Sequence, residues 1–274
     1  MSVKPGEVQI DGLSEKHQLI LTSHNPLFVD RRVITNNVIV NDRKANPAKN
    51  VEEIRRILGV RASDNLRNAE MVLVVEGEHD IISLRAIIQE SSEYLKAAID
   101  NGSLAFDSLI GGTNLSYKIC LLRDAICLYH IFLDDDRCGR ESYKKAKNSG
   151  LLEDGQINIA KASGRQESEI EDLFKPEVYK SAIENKYHIS LLTPKFRGKK
   201  KWSERVKDIF DAHGKPWDDS ILNEIKFIVA NQVASNPMSV INEQDKTIID
   251  SLIGTLESRL KEKENAQQEA SSDG

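Results

Sequence analysis

Cysteine is scarce in this chain, and the little there is does not pair by pattern. The three cysteines, Cys120, Cys127 and Cys138, are odd in number and form no C-x-x-C couple. That argues against a disulfide framework and a cysteine-built zinc site, and for free thiols in a reducing cytoplasm. No run approaches the roughly 20 apolar residues a membrane-spanning helix needs. The opening MSVKPGEVQI lacks the apolar centre of a signal peptide. A G-x-x-x-x-G-K-[ST] phosphate loop is also missing, so this chain alone does not bind ATP in the ordinary way. Positive charge is in deficit: the formal net charge is −5, and any contact with nucleic acid must come from a local basic patch. There is no internal repeat.

What is present is an ordinary globular composition, 39% apolar and 30% charged over 274 residues, enough for one large domain or two small ones. QLILT (18–22) reads as a buried strand broken at Asn25 and Pro26, and NNVIV as a second strand. Val51, Ile54, Ile57 and Leu58 have helical spacing. MVLVV (71–75) reads as a fully buried parallel strand, followed by a helix over about 81–99. LAFDS, CLYHIFLD and QINIA read as further strands, separated by helices at NLSYKICLLRDAI and GRESYKKAKNSG. A last helix of this unit is expected from about Glu167. Strand and helix alternate to about residue 187, which predicts an α/β fold with a parallel sheet. Beyond residue 195 a basic stretch, RGKKKWSERV, leads into three helical segments near 203–212, 218–233 and 242–261. The expected organisation is an N-terminal segment and linker at 1–62, a catalytic α/β domain at 63–195, a small helical domain at 196–262, and a disordered tail at 263–274.

The carboxylates carry the functional signal. In open parallel sheets functional groups gather at the carboxyl ends of strands. Glu76 follows VLVV directly, and Asp80 lies in the first turn of the next helix. Asp134 and Asp136 end the YHIF strand and share a face, while Asp135 is expected to point away. ESEIEDLF adds Glu167, Glu169, Glu171 and Asp172. Taken singly, each cluster also fits a solvated surface or a helix start favoured by the macrodipole. Together, on strand ends of one unit, they point to a site. Converging carboxylates cannot all ionise without a cation. An oxygen-only donor set selects hard ions, Mg²⁺, Mn²⁺ or Ca²⁺, over zinc. Two such ions about 4 Å apart suit phosphoryl transfer. The basic run Arg197, Lys199, Lys200, Lys201 and Arg205 fits contact with backbone phosphates, and equally a solvated helix start.

VLVVEGEHD followed by IFLDDDRCGRES resembles the Toprim pattern, in which one strand ends in Glu-Gly and a later one in Asp-x-Asp-x-x-Gly. Here these are Glu76-Gly77 and Asp134-x-Asp136-x-x-Gly139, with LIGGTN resembling the glycine turn between them. Upstream, QLILTSHNP resembles the end of an ABC-type ATPase domain, which would make His24 its switch histidine. Downstream, ESEIEDLF resembles the acidic motif of the overcoming-lysogenization-defect (OLD) nucleases, in which such an ATPase is fused to a Toprim nuclease.

This resemblance spans roughly residues 18 to 205 and implies a Mg²⁺- or Mn²⁺-dependent DNA endonuclease with two ions, acting in phage defence or DNA repair. It makes Glu76, Asp80, Asp134 and Asp136 metal ligands, completed by Glu169, Glu171 or Asp172. Glu76 and Asp134 would be catalytic, together with a lysine after the acidic motif. Lys200 is the first choice for that lysine, with Lys199 and Lys201 as alternatives. DNA and a second copy of the chain are the implied partners, and the missing phosphate loop leads to the expectation of a C-terminal piece of a longer ATPase–nuclease. Other Toprim branches fit less well. The tyrosines lie in or beside the α/β unit rather than in a topoisomerase's winged helix, and the zinc modules of primases and recombination mediators have no cysteines to build them. A phosphatase of the Asp-x-Asp-x-Thr type is weakened by Arg137 after the pair. The reading from another class is a non-catalytic DNA-binding or dimerisation module.

Overall fold

The computed structural model describes residues 20–23, 28–31, 33–41, 44–58, 69–109 and 115–272. A two-stranded antiparallel hairpin, β1 (Val38–Asn41) and β2 (Lys44–Pro47), precedes helix α1 (Val51–Leu58). The sheet that organises the molecule is four-stranded and parallel, in the order β4-β3-β5-β6. Its strands are β3 (Met71–Val75), β4 (Leu104–Ser108), β5 (Leu128–Asp134) and β6 (Ile157–Ala160). The α/β fold with a parallel sheet is therefore the one expected. No described helix is long and apolar enough to cross a membrane.

Every residue of β3 is buried, and its side chains divide by the period of two that an extended chain imposes. Met71, Leu73 and Val75 join one apolar cluster, whereas Val72 and Val74 join another with Ile131 and Leu133 of β5. The second face is covered by α4 (Leu115–Asp124) and α5 (Arg137–Asn148). The first is covered by α2 (Glu78–Ser91), α3 (Glu93–Asp100) and α6 (Pro176–Tyr187). The C-terminal helices α7 (Trp202–Ala212), α8 (Asp219–Ser235) and α9 (Lys246–Ser272) complete this layer. Trp202, Phe210, Ile225 and Val229 share one core with Met71 and Leu73, so residues 196–262 are not separated from the sheet by a break in packing.

Four local expectations change. The helix expected over 81–99 divides at Ser92, whose backbone is extended and whose Oγ accepts from the Leu95 amide at 3.1 Å to start α3. The helix expected from Glu167 begins at Pro176 instead. Proline is admitted at the first helical turn and not inside one, and it holds Lys175 extended before it. That leaves residues 168–174 free to form a bridge and a short 3₁₀ turn at Ile170–Leu173. The polar tail expected to lack structure from 263 continues α9 as far as Ser272, in keeping with its Glu, Lys, Gln and Ala content. Ile20 and Leu21, expected in a buried strand, are exposed and outside any strand, since apolar character makes a strand only where a sheet covers it. His24 and the turn at 110–114 lie outside the described residues.

The strand order positions the site. From β3 the chain adds β4 on one side, then crosses back to place β5 on the other. Between β3 and β5 the direction of winding reverses, so the carboxyl ends of those strands form a topological switch point, the place where ligands gather in open α/β sheets. Glu76 follows β3 immediately, and Asp134 ends β5.

Candidate metal centre at the carboxyl edge of the sheet

Glu76 and the Asp134–Asp136 segment are joined directly: Glu76 Oε1 accepts from the Asp134 amide at 3.1 Å. Of the two motif glycines, Gly139 is required by a backbone contact. A Cβ on Gly139 would stand 2.4 Å from the Asp134 carbonyl oxygen and 3.4 Å from Glu76 Oε1, so only glycine lets α5 start against the strand end. A Cβ on Gly77 would stand 2.4 Å from Cε1 of His79, whose ring folds back over the turn. Asp80 sits in the first turn of α2 and accepts from the Gly77 amide through Oδ2 at 2.9 Å. Its Oδ1 is buried without a hydrogen-bond partner.

The acidic 168–174 segment is drawn in by backbone pairing. Asp135 N donates to Ser168 O at 2.9 Å, and Ser168 N donates to Asp135 O at 3.1 Å. Ile170 N then donates to Asp134 Oδ1 at 2.9 Å. The three consecutive aspartates thus have separate tasks. Asp134 faces the cluster, Asp135 pairs with Arg140 at 2.6 Å, and Asp136 caps α5 through Gly139 N while its Oδ2 meets Lys201 Nζ at 2.9 Å.

Glu169 and Glu171 point into the same region and meet a residue the sequence reading did not name, Lys226 of α8. Its Nζ lies 3.4 Å from Glu171 Oε1 and 3.6 Å from Glu169 Oε1, and its side chain is 11% exposed. Lys201 Nζ is also 3.6 Å from Glu169. Glu169 is further held by Ser203, through N at 2.6 Å and Oγ at 3.0 Å. The carboxylates of Glu76, Asp80, Asp134, Asp136, Glu169 and Glu171 outnumber these two ammonium groups.

The electrostatics follow from that imbalance. Burial pushes Glu76 up to about 7, Asp80 to about 6 and Glu171 to about 7. Asp134 is driven well above the usual carboxylate range by burial and by Glu76 beside it. Burial acts against ionisation of Glu169 and Asp136 too, but is outweighed. Lys226 and Lys201 hold Glu169 low, and the Gly139 amide with Lys201 holds Asp136 low. Lys226 stays charged despite its burial because Glu171 and Glu169 flank it. Burial and Lys226 lower the His79 imidazole against the pull of Glu171, which favours its neutral form.

The structure does not bring every expected residue here. Asp172, expected among the metal ligands, is engaged on both oxygens: Oδ1 pairs with Arg205 and lies 3.4 Å from Arg165, and Oδ2 accepts from the Trp202 and Glu169 amides. Lys200, the first choice for the catalytic lysine, turns to Asp208 at 2.8 Å on the exposed side of α7. The next residue, Lys201, reaches the cluster instead. In the expected phosphate-binding run, Arg205 is buried between Asp172 and Phe196, leaving Arg197 and Lys199 as exposed members outside the cluster. Lys226 and His79 were missed because nothing in the linear neighbourhood of a lysine in NEIKF or a histidine in GEHD marks it as facing carboxylates.

The donors present suit a divalent cation. Asp80 Oδ1 and Glu171 Oε2 are buried and unpartnered, and His79, Asp80 and Glu171 offer ligand atoms within 4.8 Å of one another. A cation there would relieve both the orphaned oxygens and the carboxylate repulsion.

No family model and no curated protein sequence matches this chain. Among solved structures the chain is similar to the C-terminal region of the Xanthomonas campestris pv. campestris OLD protein. In the form phased with platinum the TM-score is 0.39 at 14% identity, over 77% of this chain and 100% of that one. In the form phased with mercury the TM-score is 0.38 at 14% identity, over 75% and 98%.

Proposed function

We propose that this chain is a divalent-metal-dependent DNA endonuclease of the Toprim type, the nuclease part of an OLD-like assembly. The observation that carries the reading is the convergence of Glu76, Asp80, Asp134, Asp136, Glu169 and Glu171 at the topological switch point around one buried lysine. Glu76, Asp80, Asp134, Asp136 and Glu171 are the residues that would hold Mg²⁺ or Mn²⁺, in a pair of ions. Bound there, the ions would polarise the phosphodiester and lower the pKa of an attacking water.

The chain's own groups supply the rest. Lys226, kept protonated by Glu169 and Glu171, places a fixed positive charge in a dry environment where negative charge develops on the phosphoryl oxygens. It takes the place that the family resemblance assigns to a lysine after the acidic motif. Lys201 stands at the more open side, 22% exposed, and orients a phosphate over Asp136. Glu169, bound to Ser203 and facing both lysines, positions them rather than reacting. Asp172 with Arg205 anchors α7 and thereby Lys201. Exposed Arg197 and Lys199 offer contacts to flanking backbone phosphates.

The test is nicking of supercoiled plasmid with Mg²⁺, Mn²⁺ or EDTA, using wild type, Asp134→Asn and Lys226→Met. Metal-dependent nicking lost in both variants is expected. Equal nicking by all three would end the nuclease reading, and a band shift without nicking would favour the DNA-binding module.

A further inference from the structure

The acidic cluster contains one nitrogen donor. His79 Nε2 lies 3.2 Å from Asp80 Oδ1 and 4.0 Å from Glu171 Oε1. Asp80 Oδ1 is buried and makes no hydrogen bond, although the imidazole nitrogen is its near neighbour. Glu171 Oε2 is likewise buried and unpartnered. Two donors on one ion at about 2.1 Å stand roughly 3.0 Å apart at right angles and 4.2 Å apart when opposite. The two nitrogen–oxygen separations fall inside that interval.

The ring is also held in place before any ion arrives. It packs edge-on against Phe227 at 5.9 Å, and it occupies the space over Gly77 that a side chain there would fill. Phe227 follows Lys226 on α8, so one helical segment sets both the ammonium and the imidazole against the cluster. An exposed histidine with no such support would turn freely to solvent; this one is 14% exposed.

We propose that His79, Asp80 and Glu171 form a distinct metal position with a mixed nitrogen–oxygen donor set, which takes a first-row transition ion such as Mn²⁺ or Zn²⁺ in preference to Mg²⁺. Imidazole is a softer ligand than carboxylate and adds affinity for transition ions that Mg²⁺ does not gain. The other position, built from Glu76, Asp134 and Asp136, keeps oxygen donors and accepts Mg²⁺. The proposal differs from the oxygen-only set expected from the sequence at one of two positions. This inference rests on reading the cluster as a metal centre.

The experiment is pulsed electron paramagnetic resonance on the full chain with two equivalents of Mn²⁺, prepared with ordinary and with ¹⁵N-labelled histidine. Calorimetric titrations of Mn²⁺ and Mg²⁺ into wild type and His79→Gln accompany it. The expected result is a histidine nitrogen coupled to bound Mn²⁺, absent in His79→Gln. With it, Mn²⁺ affinity should fall about 10- to 100-fold, while Mg²⁺ affinity changes less than about twofold. Saturable Mn²⁺ binding without nitrogen coupling in wild type would overturn the proposal and leave the acidic centre standing, whether or not the variant folds. Coupling retained in His79→Gln would also overturn it. No saturable binding of Mn²⁺ at all would remove both the proposal and the metal-centre reading.

Discussion

Lys226 Nζ lies 3.4 Å from Glu171 Oε1, a salt bridge buried at the end of a parallel sheet, with further carboxylates around it. An ion pair so placed is costly to desolvate, and the surplus of carboxylates around it leaves negative charge that this one lysine does not balance. Removing the lysine separates stability from function. Lys226→Met should cut the nicking rate by about 10²- to 10³-fold, the scale for losing one preorganised electrostatic group. Saturable Mn²⁺ binding by calorimetry should survive, because the carboxylate ligands remain.

Lys200 and Lys201 are neighbours in sequence with opposite surroundings. Lys201 reaches Asp136 and Glu169, while Lys200 pairs with exposed Asp208. Lys201→Ala should therefore lower nicking by at least about tenfold. Lys200→Ala should leave it within about twofold and leave the urea midpoint essentially unchanged, as for an ordinary surface position. Parallel plasmid assays and urea melts check both.

The raised carboxyls predict an unusual pH profile for metal-free protein. Glu76 and Glu171 move from an ordinary 4.5 to about 7, and Asp80 from 3.8 to about 6, by burial. A group whose folded pKa exceeds its unfolded value stabilises the fold fully below the unfolded pKa. That contribution is lost as pH rises through the folded value. With EDTA present, Tm should fall between about pH 4 and 7. Added Mn²⁺ should restore it most strongly at the upper end, where the ion no longer displaces protons. A Tm that rises across this window in EDTA would contradict the cluster's assigned charge state.

Asp134 and Asp172 are both buried and should respond oppositely to neutralisation. Asp172→Asn breaks the pairing with Arg205, which is 3% exposed, and should cost about 3–5 kcal/mol in urea unfolding. Asp134→Asn removes a carboxyl crowded by Glu76 and Asp80, so apo stability at pH 7 should hold or rise while Mn²⁺ binding at the Glu76–Asp134–Asp136 position is lost. Asp135→Asn, which touches Arg140 and not the cluster, should leave nicking within about twofold.

Much of this arrangement is local and was legible along the chain. MVLVV is uniformly apolar because β3 is covered on both faces, and the placement of Glu76 at its end needs only the strand's length. Alternation along DDD separates Asp135 from Asp134 and Asp136, since successive residues of an extended chain face opposite ways. The two motif glycines were legible as turns. The reason for Gly139, a helix start pressed on Asp134 O, is a contact made in three dimensions.

Tertiary packing decided the remainder. Pairing of Ser168 with Asp135 turns an acidic stretch that reads as a helix start into a wall of the site. Which lysine serves the cluster depends on how α7 and α8 dock on the sheet. Asp172 and Arg205 set α7 so that Lys201 faces inward and Lys200 outward, and α8 packs beside α2 so that Lys226 enters from a remote part of the chain. Local sequence determined where carboxylates stand, because strand ends and helix starts are short-range events. It could not determine which cations and which imidazole meet them, because that choice is made by apolar faces packing over long separations in sequence.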